Sequence, residues 1–101
     1  MRWWRRRKGK RARYEGLEFG EVGHASPPRA WVARGRSGPL SWEARAERES
    51  DGVAWELSVQ GTLTGTQVVA GTAADAYAAQ DHCRAALRKI IDEHNEFADI
   101  A

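Results

Sequence analysis

A chain of 101 residues has room for one domain around one modest core, and its 42% hydrophobic and 30% charged content is that of an ordinary folded protein, not of a disordered or membrane-spanning one. Its one cysteine, Cys83, excludes an intramolecular disulfide and a paired-thiol metal site, which fits a reducing compartment. The formal net charge of +2 conceals a separation: eight cations crowd into residues 1–13 without one acid, leaving eight cations against all fourteen carboxylates elsewhere.

The leading segment is therefore a cationic arm on an acidic body. Arg2, Arg5, Arg6, Arg7, Lys8, Lys10, Arg11 and Arg13 alternate with Trp3 and Trp4, and Tyr14 follows. Guanidinium forks pair with phosphate and indole faces stack on exposed bases, so this mixture suits nucleic acid better than charge alone would. Were all eight cations to neutralise duplex phosphates, the logarithm of affinity would fall with the logarithm of salt at a slope of about −7. Tryptophans are a poor choice for a tail whose task is only solubility. Trp beside Arg also suits the headgroup region of an anionic membrane, but two indoles without a continuing amphipathic helix give weak, reversible attachment.

The arm begins like an export signal, yet residues 14–23 interleave glycine and glutamate where an apolar stretch would be required, so no signal peptide is expected. No run approaches the length of a membrane span. Residues 14–38 hold several glycines and Pro27-Pro28 and read as a connector, with one short strand at about 30–34.

Residues 39–98 read as the folded unit. From about 40 to 48, Trp42, Ala44 and Ala46 alternate with Glu43, Arg45 and Glu47; from about 53 to 62, Val53, Trp55, Leu57 and Val59 alternate with polar or small residues. Period-two alternation is the pattern of a half-buried strand. Asp51-Gly52 between them is a favoured type I′ pair, which would set Ala46 opposite Leu57, Ala44 opposite Val59 and Glu47 opposite Glu56. Thr64-Gly65 suggests a second turn and a third strand at about 66–71, with Val68 and Ala70 on the inner face.

Gly71 ends that strand, and Thr72 with Asp75 three residues later resembles a capping box, opening a helix over about 73–97. Ala76, Ala79, Cys83, Ala86, Leu87, Ile90, Ile91 and Phe97 form its apolar stripe. The expected fold is α+β, a three-stranded antiparallel sheet covered on one face by the C-terminal helix, with Trp42, Trp55, Leu57, Val59 and Val68 in the core.

Three strands before an alanine-rich helix, from Trp42 through Trp55 and Gly71-Thr72 to Leu87, resemble certain plant DNA-binding domains and the N-terminal domains of phage integrases. Those domains read DNA with the open face of the sheet. Here that face would carry Glu43, Glu47, Glu49 and Glu56 with Arg45, which repels phosphate, so the binding mode does not transfer and no family is assigned.

Catalytic patterns are missing: there is no nucleophile elbow, phosphate loop or dinucleotide glycine motif, and facing carboxylates such as Glu47 and Glu56 would lie in water. His82 and Cys83 are adjacent on a helix and point about 100° apart, and His24 and His94 lack metal-ligand spacing. The expectation is a non-enzymatic protein without cofactor or metal that binds nucleic acid through its arm. It would work in the cytoplasm or in a phage particle, and thirteen Arg against three Lys suggests a GC-rich bacterial or phage genome. The rival reading is an assembly protein that plugs arm and body into oppositely charged neighbours.

Overall fold

A computed structural model describes residues 11–62 and 65–100. Five antiparallel strands, β1 (Gly20–Glu21), β2 (Ala30–Ser37), β3 (Leu40–Glu49), β4 (Gly52–Thr62) and β5 (Gly65–Ala73), lie side by side in chain order, and one helix, α1 (Ala76–Ile100), follows them. The α+β architecture holds, but the sheet has five strands and not three. Both additional strands come from residues 14–38.

β2 pairs with β3 along its whole length, from Ala30↔Glu47 to Ser37↔Leu40. It contains the short strand expected at about 30–34, and Gly35, which interrupts the apolar alternation of Trp31 and Ala33, disguises its continuation to Ser37. The glycine is there because the Trp42 indole on the neighbouring strand occupies the place of its side chain: a Cβ at Gly35 would stand 2.6 Å from Trp42 Nε1. The same arrangement recurs two strands away, where Gly71 of β5 faces Trp55 of β4 and a Cβ would stand 2.9 Å from the indole. Each large ring is thus accommodated by an absent side chain on the adjacent strand.

The β3–β4 hairpin differs in register from the sequence expectation. Glu49 pairs with Gly52, so the loop is Ser50-Asp51, and Ala46 faces Trp55, Ala44 faces Leu57 and Trp42 faces Val59. A type I′ turn would require positive φ at Asp51, whereas only glycines adopt positive φ among the described residues, Gly52 at +146°. The displacement is an even number of residues, so every side chain keeps its face. It does separate Glu47 from Glu56: Glu47 faces Ala54 and Glu56 faces Arg45.

In β5 the faces do change. The β4–β5 register shifts between Val59 and Thr62, and a one-residue shift exchanges inward and outward positions. Val69 consequently faces inward beside Leu57, while Val68, expected in the core, is 58% exposed.

Strand pairing continues to Ala73↔Val53, which holds Thr72 in the sheet and moves the helix start to Ala76. The cap is Asp75, whose Oδ1 accepts the Ala78 N–H at 2.8 Å. The helix buries Ala79, Cys83, Leu87, Ile90, Ile91, His94 and Ala98. Ala98 and not Phe97 continues this stripe, and Phe97 is 57% exposed. Against it pack Ala33, Leu40, Trp42, Ala44, Leu57 and Val59, with Trp55 half-buried and stacked on the exposed His82 ring at 5.7 Å between centroids. Among the described residues no helix is long and apolar enough to cross a membrane.

Candidate nucleic-acid interface

Residues 11–19 run as an extended strap beside α1, in the opposite direction to the helix. Ala12 and Leu17 are buried in the same cluster as Leu87, Ile90 and Ile91, and Tyr14 and Phe19 pack at its margin. Two helix arginines hold the strap. Arg88 lies 4.6 Å over the Tyr14 ring, and Arg84 lies 5.7 Å over the Phe19 ring. Arg84 also donates to the Leu17 carbonyl from Nε at 3.3 Å and Nη2 at 3.1 Å, and to Asp81 from Nη1 at 2.9 Å. The strap turns into β1, which pairs with β2 through Gly20↔Val32 and Glu21↔Trp31.

The root of the cationic arm is fastened at the other end of the strap. Asn95 reads the Ala12 backbone twice: its Oδ1 accepts the Ala12 N–H at 2.8 Å and its Nδ2 donates to the Ala12 carbonyl at 2.9 Å. The Arg13 N–H donates to Ser37 Oγ at 2.7 Å, at the end of β2. The Arg11 carbonyl lies against Gly38, which takes φ +55° in the β2–β3 turn, a place where any Cβ would collide with it. Sequence reading did not single out Asn95, Ser37 or Gly38, which are separated from the arm by many residues and share no local pattern with it.

Electrostatics also favour this place for the arm root. The last helical turns carry Asp92, Glu93, Glu96 and Asp99, and no basic residue stands in the final turn. Carboxylates at the negative end of a helix dipole are unfavourable. Arg11 supplies the missing cation, donating from Nη1 to Asp99 at 2.5 Å, and this hydrogen bond, with the charge of Asp99, raises the Arg11 pKa above its ordinary value. Both side chains are exposed, so the pair orients the segment more than it stabilises the fold.

Of the residues proposed for polyanion binding, Arg11 is engaged with Asp99, and Arg13 projects into solvent with no ion pair among the described residues. Arg2, Trp3, Trp4, Arg5, Arg6, Arg7, Lys8 and Lys10 lie outside the described residues. Around Arg11, Ala12 and Arg13, together with Glu15 and Ser37, is an open hollow of about 470 Å³. Arg36, next to Ser37 in β2, is exposed and adds a cation near this root.

The uncovered face of the sheet is less acidic than three strands implied, because β2 brings Arg34 and Arg36 into it. Arg34 Nε donates to Glu43 Oε2 at 2.8 Å, and Arg45 Nη1 stands 3.7 Å from Glu43 Oε1. The Arg34 hydrogen bond and charge hold the Glu43 carboxyl below its usual pKa. Arg34, Glu43, Arg45 and Glu56 thus form a charge-alternating lattice. Arg34 and Arg45 both lie against Glu43, and Arg45 faces Glu56 in the register, so this face offers phosphate no concentrated positive field.

Neither the histidines nor the cysteine assemble into a centre: among the described residues no three His, Cys, Asp or Glu side chains come together to hold a metal. Cys83 is fully buried, and that burial pushes its thiol pKa up to about 11, the opposite of nucleophile activation. No protein-family model, no curated protein and no solved structure matches this chain.

Proposed function

We propose that the chain is a non-enzymatic nucleic-acid-binding protein whose Arg/Trp-rich N-terminal arm grips the phosphate backbone while the folded body serves as its mount. The observation that carries this reading is the charge segregation: eight cations and two tryptophans in the first thirteen residues, with every carboxylate of the chain downstream. The fastening of Ala12 by Asn95 supports it, because the cations that precede it start from a defined point on the body and not from a loose end.

The pairing of Arg11 with Asp99 lowers the number of cations free for phosphate to seven. The salt dependence of duplex binding is then expected to have a slope of about −6. Full-length protein and a version lacking residues 1–10, which retains the Ala12 fastening, are compared on duplex DNA, single-stranded RNA and anionic vesicles over a salt series. Loss of nucleic-acid binding on truncation supports the proposal, and unchanged affinity ends it. Vesicle binding that withstands high salt would shift the assignment to a membrane surface.

A second reading draws on the same bipolar charge. An assembly protein would insert a basic arm and an acidic body into complementary neighbours of a larger particle, and the Arg11–Asp99 pair is an intramolecular instance of that contact. Binding to none of the three probes favours it.

A further inference from the structure

β5 is a sheet edge of an unusual kind. Its nine residues, Gly65–Ala73, carry neither a charge nor a proline, and they pair with β4 on one side only among the described residues. Edge strands expose a row of unpaired N–H and C=O groups, and proteins ordinarily guard them with lysine, proline, a strong bulge or extreme shortness. The opposite edge is guarded in that last way, since β1 has only two residues. Along β5 the register is regular from Val59↔Gln67 to Val53↔Ala73, so its outer side is a continuous template for another strand.

The sequence of β5 also says which strand would fit it. Read outward in both directions from Val69, its neighbours are alike at three of four steps, apolar Val68 and Ala70, Thr66 and Thr72, and small Gly65 and Ala73, while Gln67 and Gly71 differ. An antiparallel copy centred on Val69 would therefore set apolar Val68 against Ala70, and Thr66 against Thr72, a favourable cross-strand pair. On the helix side Val69 would face its own counterpart, and Gln67 would face Gly71, the position left small beneath Trp55. No like charges meet at any position. Val68, Ala70 and Thr72 are all exposed in the single chain, Val68 at 58%, and each would gain a cross-strand neighbour in the pair.

From the self-complementarity of this undefended edge we infer that the protein forms a twofold dimer through β5, two five-stranded sheets joining into one of ten strands with Val69 on the axis. Both helices then lie on the same side of the joined sheet. The dimer then carries two arms, and, on the proposed function, a nucleic acid long enough to reach both would be held by both.

The test is the mass in solution of the full chain, followed by light scattering and sedimentation across a concentration series. The wild type is expected at twice the chain mass and to stay there in high salt, because the interface holds no ion pairs. Val68→Lys with Ala70→Lys places like charges opposite each other in both halves and is expected to give a monomer with unchanged circular dichroism. Val68→Glu with Ala70→Lys places opposite charges there and is expected to restore the dimer. Amide exchange supplies a readout without substitution: protection of β5 should increase with protein concentration. A wild type that is monomeric at high micromolar concentration overturns the inference. So does a dimer that the double lysine leaves intact in a folded protein, or β5 protection that ignores concentration.

Discussion

Trp42 shows how one residue can determine the identity of another on a neighbouring strand. Its indole is buried and lies in the space where Gly35 would carry a side chain. Trp42→Ala removes a large part of the core and should cost about 3–5 kcal/mol. Gly35→Ala inserts a single methyl into occupied space and should cost about 1–3 kcal/mol, although most sheet positions gain from that exchange. Urea denaturation of both variants checks the pair, and a neutral Gly35→Ala would show that the indole can move away. Cys83 has its own signature. In the folded protein its thiol keeps the proton until about pH 11, against an ordinary value of 9.0. A raised acid pKa in the native state means that the folded form binds more protons between those values, so stability should fall as pH rises through that window. The two-unit separation corresponds to a loss of up to about 3 kcal/mol. Stability measured against pH for wild type and Cys83→Ala isolates it: the extra alkaline decline should vanish in the variant. Thiol reagents should also leave the native protein unmodified near neutral pH.

At the scale of elements, the strap and α1 depend on each other. The helix presents Arg84, Arg88 and Asn95 on one flank, about one and then two turns apart, and each meets a successive part of residues 12–19. Asn95→Ala removes a donor and an acceptor at once and leaves the Ala12 N–H and C=O, both part-buried, without that side chain. A loss of about 1–3 kcal/mol is expected, with faster amide exchange at Ala12 and little change in β3 or β4. The elements also mark where sequence patterns are readable. β3 and β4 follow strict alternation because one face is buried by the helix, and α1 follows its 3.6-residue stripe for the same reason. Only the part of β2 at about 30–34 is legible, because Gly35 gives its side-chain space to the Trp42 indole across the hairpin, and the strap hides behind scattered glycines because its partner, the flank of α1, lies far away in the chain. The exchange of Val68 for Val69 comes from an irregularity at the β4–β5 turn, and parity after such a shift is set by backbone pairing, not by composition.

For the molecule as a whole, charge is divided by region. The helix end collects carboxylates and draws Arg11 to it, the open sheet face balances its own arginines and glutamates, and the cations upstream of Ala12 have no acid beside them in sequence. Under the proposed function, raising salt should therefore weaken binding to nucleic acid steeply while hardly affecting the folded body, whose ion pairs are exposed and contribute little. Thermal unfolding measured alongside the binding series checks this, and parallel losses of stability and affinity would show that arm and body are electrostatically inseparable.

The α+β class, the strands around Trp42 and Trp55, the long C-terminal helix and the concentration of cations in the leading residues are all local properties, carried by periodicity and charge along a few neighbouring positions. The strand β1, the extension of β2 beyond residue 34, the fastening of the arm by Asn95, Ser37 and Gly38, the engagement of Arg11 with Asp99 and the open edge at β5 were decided only in three dimensions. The fastening of the arm and the Arg11–Asp99 pair join segments far apart in the chain whose residues, taken separately, carry no sign of each other, and it is the packing of the strap against the helix that brings them together.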